Sequence, residues 1–123
     1  MKLIHPSNII ISGPTGSGKT QFVARLIQSK HLSPFPTRII WLFSEWQHEY
    51  DSLTQSNPEI ELLKGFPDKL LDSFSPYEKN LLVLDDQMGK AGDTKELADL
   101  FTKGSHHRNL TIIYIVQNLF GKS

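Results

Sequence analysis

The sequence contains no cysteine, no excess charge of either sign and no long apolar run. Without cysteine, disulfide bonds and cysteine-ligated zinc sites are excluded. The 13 basic residues balance 13 acidic ones, so any DNA contact must come from a local patch or an assembled ring. No apolar run approaches membrane-spanning length, and Pro6 breaks the opening segment too early for a signal peptide. We therefore expect a soluble intracellular protein with no membrane partner.

At 123 residues, the chain is long enough for one hydrophobic core, and we expect a single domain over residues 1–123. Near-continuous apolar runs predict strands at Asn8–Ser12, Arg38–Phe43, Asn80–Asp85 and Thr111–Gln117. Runs of this kind are typical of parallel strands that are covered on both faces. Helical patterns between them cover Thr20–Lys30 and Asp93–Lys103, with less clear helices at Glu45–Ser56 and Pro67–Phe74 and a short strand at Ile60–Leu63. This alternation predicts a doubly wound α/β fold.

A glycine-rich segment joins the first predicted strand to the first predicted helix. It matches the G-x-x-x-x-G-K-[ST] phosphate-binding pattern in the strand–loop–helix context that the pattern requires. The residues expected to bind nucleotide are Gly13, Pro14, Thr15, Gly16, Ser17, Gly18, Lys19 and Thr20. Glycines let successive N–H groups point at phosphate oxygens, Lys19 reaches the β- and γ-phosphates, and the Thr20 hydroxyl ligates Mg²⁺. The alternative is a glycine-rich turn without a ligand.

The third predicted strand ends in two carboxylates, Asp85 and Asp86. Since ligands bind at the carboxyl ends of strands in such sheets, the pair predicts a Walker B site. Asp85 is expected to hold Mg²⁺ through its water shell, and Asp86 to polarise the attacking water. The alternative is an acidic turn that follows a strand.

Two further polar side chains are candidates for catalysis. Gln117 ends the fourth predicted strand, where its amide is expected to sense the γ-phosphate, unless it only caps the following turn. Arg108 precedes that strand and is expected to act in trans on the γ-phosphate of a neighbouring subunit. A solvated loop arginine is the alternative for Arg108. His106 and His107 are adjacent and therefore point in different directions, so they make a poor metal site.

The order of these parts resembles the FtsK–HerA superfamily of DNA-pumping ATPases. The segment Ser105–Gln117 is similar to that of poxvirus-type and Polinton-like genome packaging ATPases. The resemblance spans residues 8–120 and implies a P-loop NTPase of the RecA-like type, with ATP and Mg²⁺ as cofactors. The strand order that it implies is 1-4-3-2. Family members continue with a strand beyond the sensor glutamine, whereas this sequence ends at Ser123, so we expect that last strand to be missing here.

The resemblance also implies partners and a location. These are double-stranded DNA, a homo-oligomeric ring that is usually hexameric, and a capsid or portal protein, in the host nucleus, the host cytoplasm or the virion. Two other functions stay open on the sequence alone. One is a small P-loop kinase, although Arg25 and Arg38 lie in no obvious arginine-rich lid. The other is a nucleotide-binding interaction module that does not hydrolyse ATP.

Overall fold

Short β-strands alternate with two α-helices in the part of the chain that the structure describes. The computed structural model describes residues 3–4, 8–13, 18–29, 32–33, 35–67, 69–85 and 109–117. The strands are β1 (Leu3–Ile4), β2 (Asn8–Gly13), β3 (Leu32–Ser33), β4 (Arg38–Phe43), β5 (Ile60–Lys64), β6 (Asn80–Leu84) and β7 (Leu110–Gln117). The helices are α1 (Lys19–Gln28) and α2 (Glu49–Ser56), and Leu71–Ser73 forms a 3-10 turn. Neither described helix combines the length and the apolar character needed to cross a membrane.

The main sheet has five parallel strands in the order β2-β7-β6-β4-β5. The α/β prediction is confirmed, and the four strands of the predicted order 1-4-3-2 lie in that order. The observed order differs from the prediction by β5, which adds a fifth strand outside β4. The short parallel pair of β1 and β3 forms a separate sheet that the sequence analysis did not predict.

The hydrophobic core has two halves, one on each face of the main sheet. On one face α1 and α2 bury Val23, Ile27 and Tyr50 against Trp41 and its neighbours. On the other face Leu70 and Phe74 pack against residues of β4 and β6. All five residues of β6 are buried, as its continuous apolar run predicts.

The edge strand β2 departs from the predicted burial on both faces. Its residues alternate between exposed and half-buried, and Ile10 is 56% exposed. Ile9 and Ile11 pack against the core cluster beneath α1, while Ile10 points to the opposite face. Within its sheet, β2 pairs with β7 alone. An edge position therefore explains why an apolar run is here only half covered.

Two of the predicted helices need correction. The helix predicted at Glu45–Ser56 begins only at Glu49, because a bend follows β4 and the first turn closes with the Tyr50 N–H donating to the Gln47 carbonyl oxygen at 3.0 Å. The helix predicted at Pro67–Phe74 is only the turn Leu71–Ser73. Lys69 has a φ of 59°, a left-handed conformation that a right-handed helix cannot include. The helix predicted at Asp93–Lys103 lies outside the described residues.

Candidate nucleotide site

The phosphate-binding segment joins the end of β2 to the start of α1. Of its eight predicted residues, the structure describes Gly13, Gly18, Lys19 and Thr20, and the segment 14–17 lies outside the described residues. Gly18, the residue before α1, has no side chain that could cap the helix, and no acidic residue lies in the first turn of α1. Since the first N–H groups of a helix have no partner within the helix, this end of α1 suits an anion such as a phosphate.

Gly18 stands immediately before α1 in the left-handed conformation, with a φ of 86°. Among the described residues, a Cβ at this position would meet the Gln21 side chain at 3.9 Å, an ordinary contact, so the positive φ is what favours glycine here. The Phe22 N–H donates to the Gly18 carbonyl oxygen at 2.9 Å, which makes Gly18 the residue that starts the helix. The loop therefore needs glycine here to turn into α1.

We expect Gly18→Ala to lower the free energy of unfolding by about 1–2 kcal/mol, the cost of placing a residue with a Cβ in this conformation. Gly65→Ala is the matched control, since Gly65 has a φ of 76° and no atom within 4 Å of the added Cβ. Chemical denaturation should show similar losses for both variants, whereas only Gly18→Ala should also weaken ATP binding. Equal ATP binding by the two variants would contradict a phosphate-binding role for this turn.

The Lys19 ammonium contacts the last residue of β2. Its Nζ donates to the carbonyl oxygen of Gly13 at 2.5 Å, and the side chain is partly buried. This contact joins the last residue of β2 to the first residue of α1 across the segment between them. The ammonium therefore lies at the place where the phosphates of a bound nucleotide are expected.

Three side chains from separate elements meet at the carboxyl edge of the sheet. Asp85 follows β6 and is 1% exposed, and its backbone N–H donates to the Leu42 carbonyl oxygen at 3.0 Å. The Thr20 hydroxyl donates to Asp85 Oδ2 at 3.4 Å, and the Tyr50 hydroxyl donates to the same oxygen at 2.7 Å. The sequence predicted the meeting of Thr20 and Asp85, which lie 65 positions apart in the chain.

The chemistry of this donor set fits a magnesium ion. Mg²⁺ is usually held by one or two protein oxygens together with phosphates and water, and Thr20 and Asp85 offer a hydroxyl and a carboxylate. Among the described residues, no three His, Cys, Asp or Glu side chains group closely enough to hold a metal by themselves. Thr20 and Asp85 could therefore contribute two of the oxygen ligands of an ion that binds together with phosphates.

Aromatic rings surround Tyr50, whose hydroxyl contacts the buried Asp85 carboxylate. Tyr50 is fully buried and its ring centroid lies 6.1 Å from that of Trp41, 5.3 Å from that of Phe43 and 5.2 Å from that of Trp46. Burial, together with the adjacent Asp85 carboxylate, raises the pKa of the Tyr50 phenol far above its ordinary value. Tyr50 therefore remains a neutral hydrogen-bond donor to Asp85 at any pH at which the protein works.

The structure describes only part of the predicted catalytic set. Asp86 and Arg108 lie outside the described residues, so their roles stay predictions. Gln117 is the last residue of β7 and pairs in register with Gly13, which brings its backbone beside the start of the phosphate-binding segment. A γ-phosphate sensor is expected in that position, and its role also stays a prediction.

A polar groove of about 260 Å³ lies between α1 and α2, beside Thr20. Side chains that line it include Gln21, Arg25, His48, Glu49 and Ser52. The sequence analysis predicted neither this groove nor the contact of Tyr50 with Asp85. Tyr50 and Leu53 are spaced as apolar positions on one helix face, and no sequence pattern singles out the Tyr50 hydroxyl.

No family model matches the chain, and no curated protein matches it. Among solved structures, it is similar to the cytoplasmic domain of the type VII secretion ATPase EccC of Thermomonospora curvata, with a TM-score of 0.54 and 16% sequence identity. The match covers 92% of this chain but only 16% of that one. The likeness shows the fold: this chain has the α/β architecture found within an ATPase.

Proposed function

We propose that the chain binds and hydrolyses ATP and uses the energy to move double-stranded DNA. The observation that carries the ATPase part is the meeting of Thr20 and Asp85 at 3.4 Å, next to the uncapped start of α1 and the Lys19 ammonium. A nucleotide with Mg²⁺ needs a hydroxyl, a carboxylate and a cation close together, and the contacts of these three side chains support the proposal. The likeness to a domain of a secretion ATPase supports the same conclusion.

In this proposal each residue has a defined task. Lys19 and the first N–H groups of α1 bind the phosphates, and Thr20 and Asp85 hold the ion. Mg²⁺, when bound, supplies charge neutralisation between the β- and γ-phosphates. Asp86, the residue after Asp85, accepts a proton from the attacking water, and Gln117 senses the γ-phosphate. Arg108 reaches into the site of a neighbouring subunit.

The DNA part of the proposal rests on the sequence resemblance to viral genome packaging ATPases. We propose a homo-oligomeric ring around the duplex, docked to a capsid or portal protein, in an infected cell or a virion. The chain has no net charge, but basic residues concentrate between the acidic pair and β7. They are Lys90, Lys95, Lys103, His106, His107 and Arg108. Several copies of this segment in a ring would add enough charge to hold a DNA backbone.

We expect duplex DNA to accelerate ATP hydrolysis by the oligomeric chain, because DNA would bind the assembled ring in its active arrangement. Phosphate release is measured with and without duplex across a salt series, after sedimentation has established the oligomeric state. The acceleration of hydrolysis by duplex DNA should fall steeply as the salt concentration rises. Lys90→Glu combined with Lys95→Glu should remove most of this acceleration while ATP binding stays intact. ATP hydrolysis that no duplex accelerates, in a chain shown to be oligomeric, would contradict the translocase.

The groove beside Thr20 favours a small P-loop kinase as the second candidate. An acceptor bound between α1 and α2 would lie next to the metal site, and Arg25 lines that groove. Arg38 cannot serve there, since it donates to the Ser73 carbonyl oxygen and packs over the Phe74 ring at 5.1 Å. Transfer of the γ-phosphate to a nucleoside, detected as a phosphorylated product, would identify the kinase. Tight ATP binding without hydrolysis or transfer would instead identify an interaction module.

A further inference from the structure

Tyr50 hydrogen-bonds the predicted Mg²⁺ ligand Asp85 from outside the glycine-rich motif and the strands. It lies in the first turn of α2, and its hydroxyl donates to Asp85 Oδ2 at 2.7 Å. That distance is shorter than the 3.4 Å from the Thr20 hydroxyl to the same oxygen. Among the two hydroxyls, Tyr50 therefore makes the stronger contact with the carboxylate.

The ring of Tyr50 has little freedom to move. It is fully buried, and three aromatic neighbours contact it in tilted or edge-on arrangements, namely Trp41, Phe43 and Trp46. Phe43 ends β4, the strand that also accepts the hydrogen bond from the Asp85 backbone N–H through Leu42. The phenol is thus a donor fixed by packing, aimed at a carboxylate whose backbone is fixed by the same strand.

The two hydroxyls that donate to Asp85 Oδ2 are expected to differ in whether they keep this contact when a nucleotide binds. Thr20 lies at the start of α1, where its oxygen is needed for the ion. Tyr50 lies on the side of α2 and does not belong to the phosphate-binding segment. Of these two hydroxyls, the phenol is the one that stays available to hold the carboxylate in one orientation both before and after the ion binds.

We propose that Tyr50 is a positioning residue that orients the Asp85 carboxylate for Mg²⁺ bound with a nucleotide. The proposal rests on the proposed ATPase function and deepens it. Carboxylates that ligate metals are commonly held by such hydrogen bonds, and loss of one typically weakens metal binding about 10- to 100-fold. Tyr50 also connects the metal site to α2, so that the packing of this helix and the geometry of the ion are coupled.

The test measures ADP binding as a function of Mg²⁺ concentration, so that its readout is separate from hydrolysis. Tyr50→Phe keeps the ring and removes only the hydroxyl. We expect the Mg²⁺ concentration for half-maximal enhancement of ADP binding to rise about 10- to 100-fold, with ADP affinity in EDTA unchanged. Tyr77→Phe makes the same chemical change at a residue that is 94% exposed, and it should behave as the wild type.

A merely structural tyrosine would give a different pattern. Its loss would weaken ADP binding equally with Mg²⁺ and in EDTA, or would leave both unchanged, and either result overturns the proposal.

Combining Tyr50→Phe with Asp85→Asn sharpens the test. Because Tyr50 acts through Asp85, the double variant should show no greater loss of Mg²⁺ dependence than Asp85→Asn alone. A further loss from Tyr50→Phe in that background overturns the proposal as well.

A second measurement applies if Tyr50→Phe does not fold. The full chain is labelled with 3-fluorotyrosine, and the Tyr50 fluorine resonance is assigned with Tyr77→Phe and Tyr114→Phe. We expect this resonance to shift when Mg²⁺ is added to the ADP complex, and to stay in place in Asp85→Asn. A Tyr50 fluorine resonance that does not shift when Mg²⁺ is added to the wild-type ADP complex overturns the proposal. A wild-type chain that binds no ADP under either condition would instead overturn the ATPase function itself.

Discussion

Lys19→Ala should weaken ATP binding about 10²-fold or more. The Lys19 Nζ donates a hydrogen bond to the Gly13 carbonyl oxygen, at the end of β2. In the bound state it exchanges this neutral partner for phosphate oxygens, and each hydrogen bond to a charged group is worth about 1.5–3 kcal/mol. Without it, only backbone N–H groups face the negative charge of the nucleotide.

Isothermal titration with ATP and Mg²⁺ measures this loss. Lys64→Ala is the matched control, because Lys64 is an exposed lysine that ends β5, at the opposite edge of the sheet from β2. The control should bind ATP as the wild type does. Lys19→Ala that keeps the wild-type affinity would mean that the glycine-rich segment is only a turn.

Asp86→Asn should retain ATP binding and lose hydrolysis by about 10²-fold or more, the usual contribution of a general base. Asparagine keeps the size of the side chain but cannot accept the proton of the attacking water. Asp85→Asn should differ from it, since Asp85 contacts Thr20 and its loss should weaken the dependence on Mg²⁺. These two results would assign different functions to the adjacent carboxylates, proton acceptance to Asp86 and Mg²⁺ binding to Asp85.

Single-turnover phosphate release, with ATP binding measured in parallel, distinguishes the two steps. Asp51→Asn provides the control, as Asp51 is an exposed acidic residue on α2. It should leave both binding and hydrolysis unchanged. Normal hydrolysis by Asp86→Asn would show that Asp86 is not the general base. Gln117, whose backbone pairs with that of Gly13, would then be the next candidate for positioning the attacking water.

The central strands were predictable because a strand that is buried on both faces consists of a near-continuous run of apolar residues. Every residue of β6 is apolar except Asn80, and the strand is completely buried. The same pattern misled for β2, since an edge strand can carry an equally apolar run while Ile10 stays exposed. The helix predicted at Pro67–Phe74 failed because a local backbone conformation, the left-handed Lys69, does not follow from apolar spacing.

The residues of the candidate site also differ in whether the sequence could predict them. Lys19, Thr20 and Asp85 were predictable because each chemical task restricts the residue type and its place relative to a strand or a helix. Tyr50 was not predictable, since an aromatic residue on a helix face is normally core and its hydroxyl finds Asp85 only through the fold. The groove between α1 and α2 also depends on tertiary packing, which short-range sequence patterns do not encode.

The central claim is that the start of α1 and the Thr20–Asp85 pair together bind a nucleotide with Mg²⁺. Titration of the wild-type chain with ATP, once with Mg²⁺ and once in EDTA, tests it most directly. The account predicts saturable binding at one site per chain, clearly tighter with Mg²⁺ than in EDTA and lost in Lys19→Ala. A correctly folded wild-type chain that gives no binding heat with ATP and Mg²⁺, and no competition with a labelled nucleotide, would contradict it.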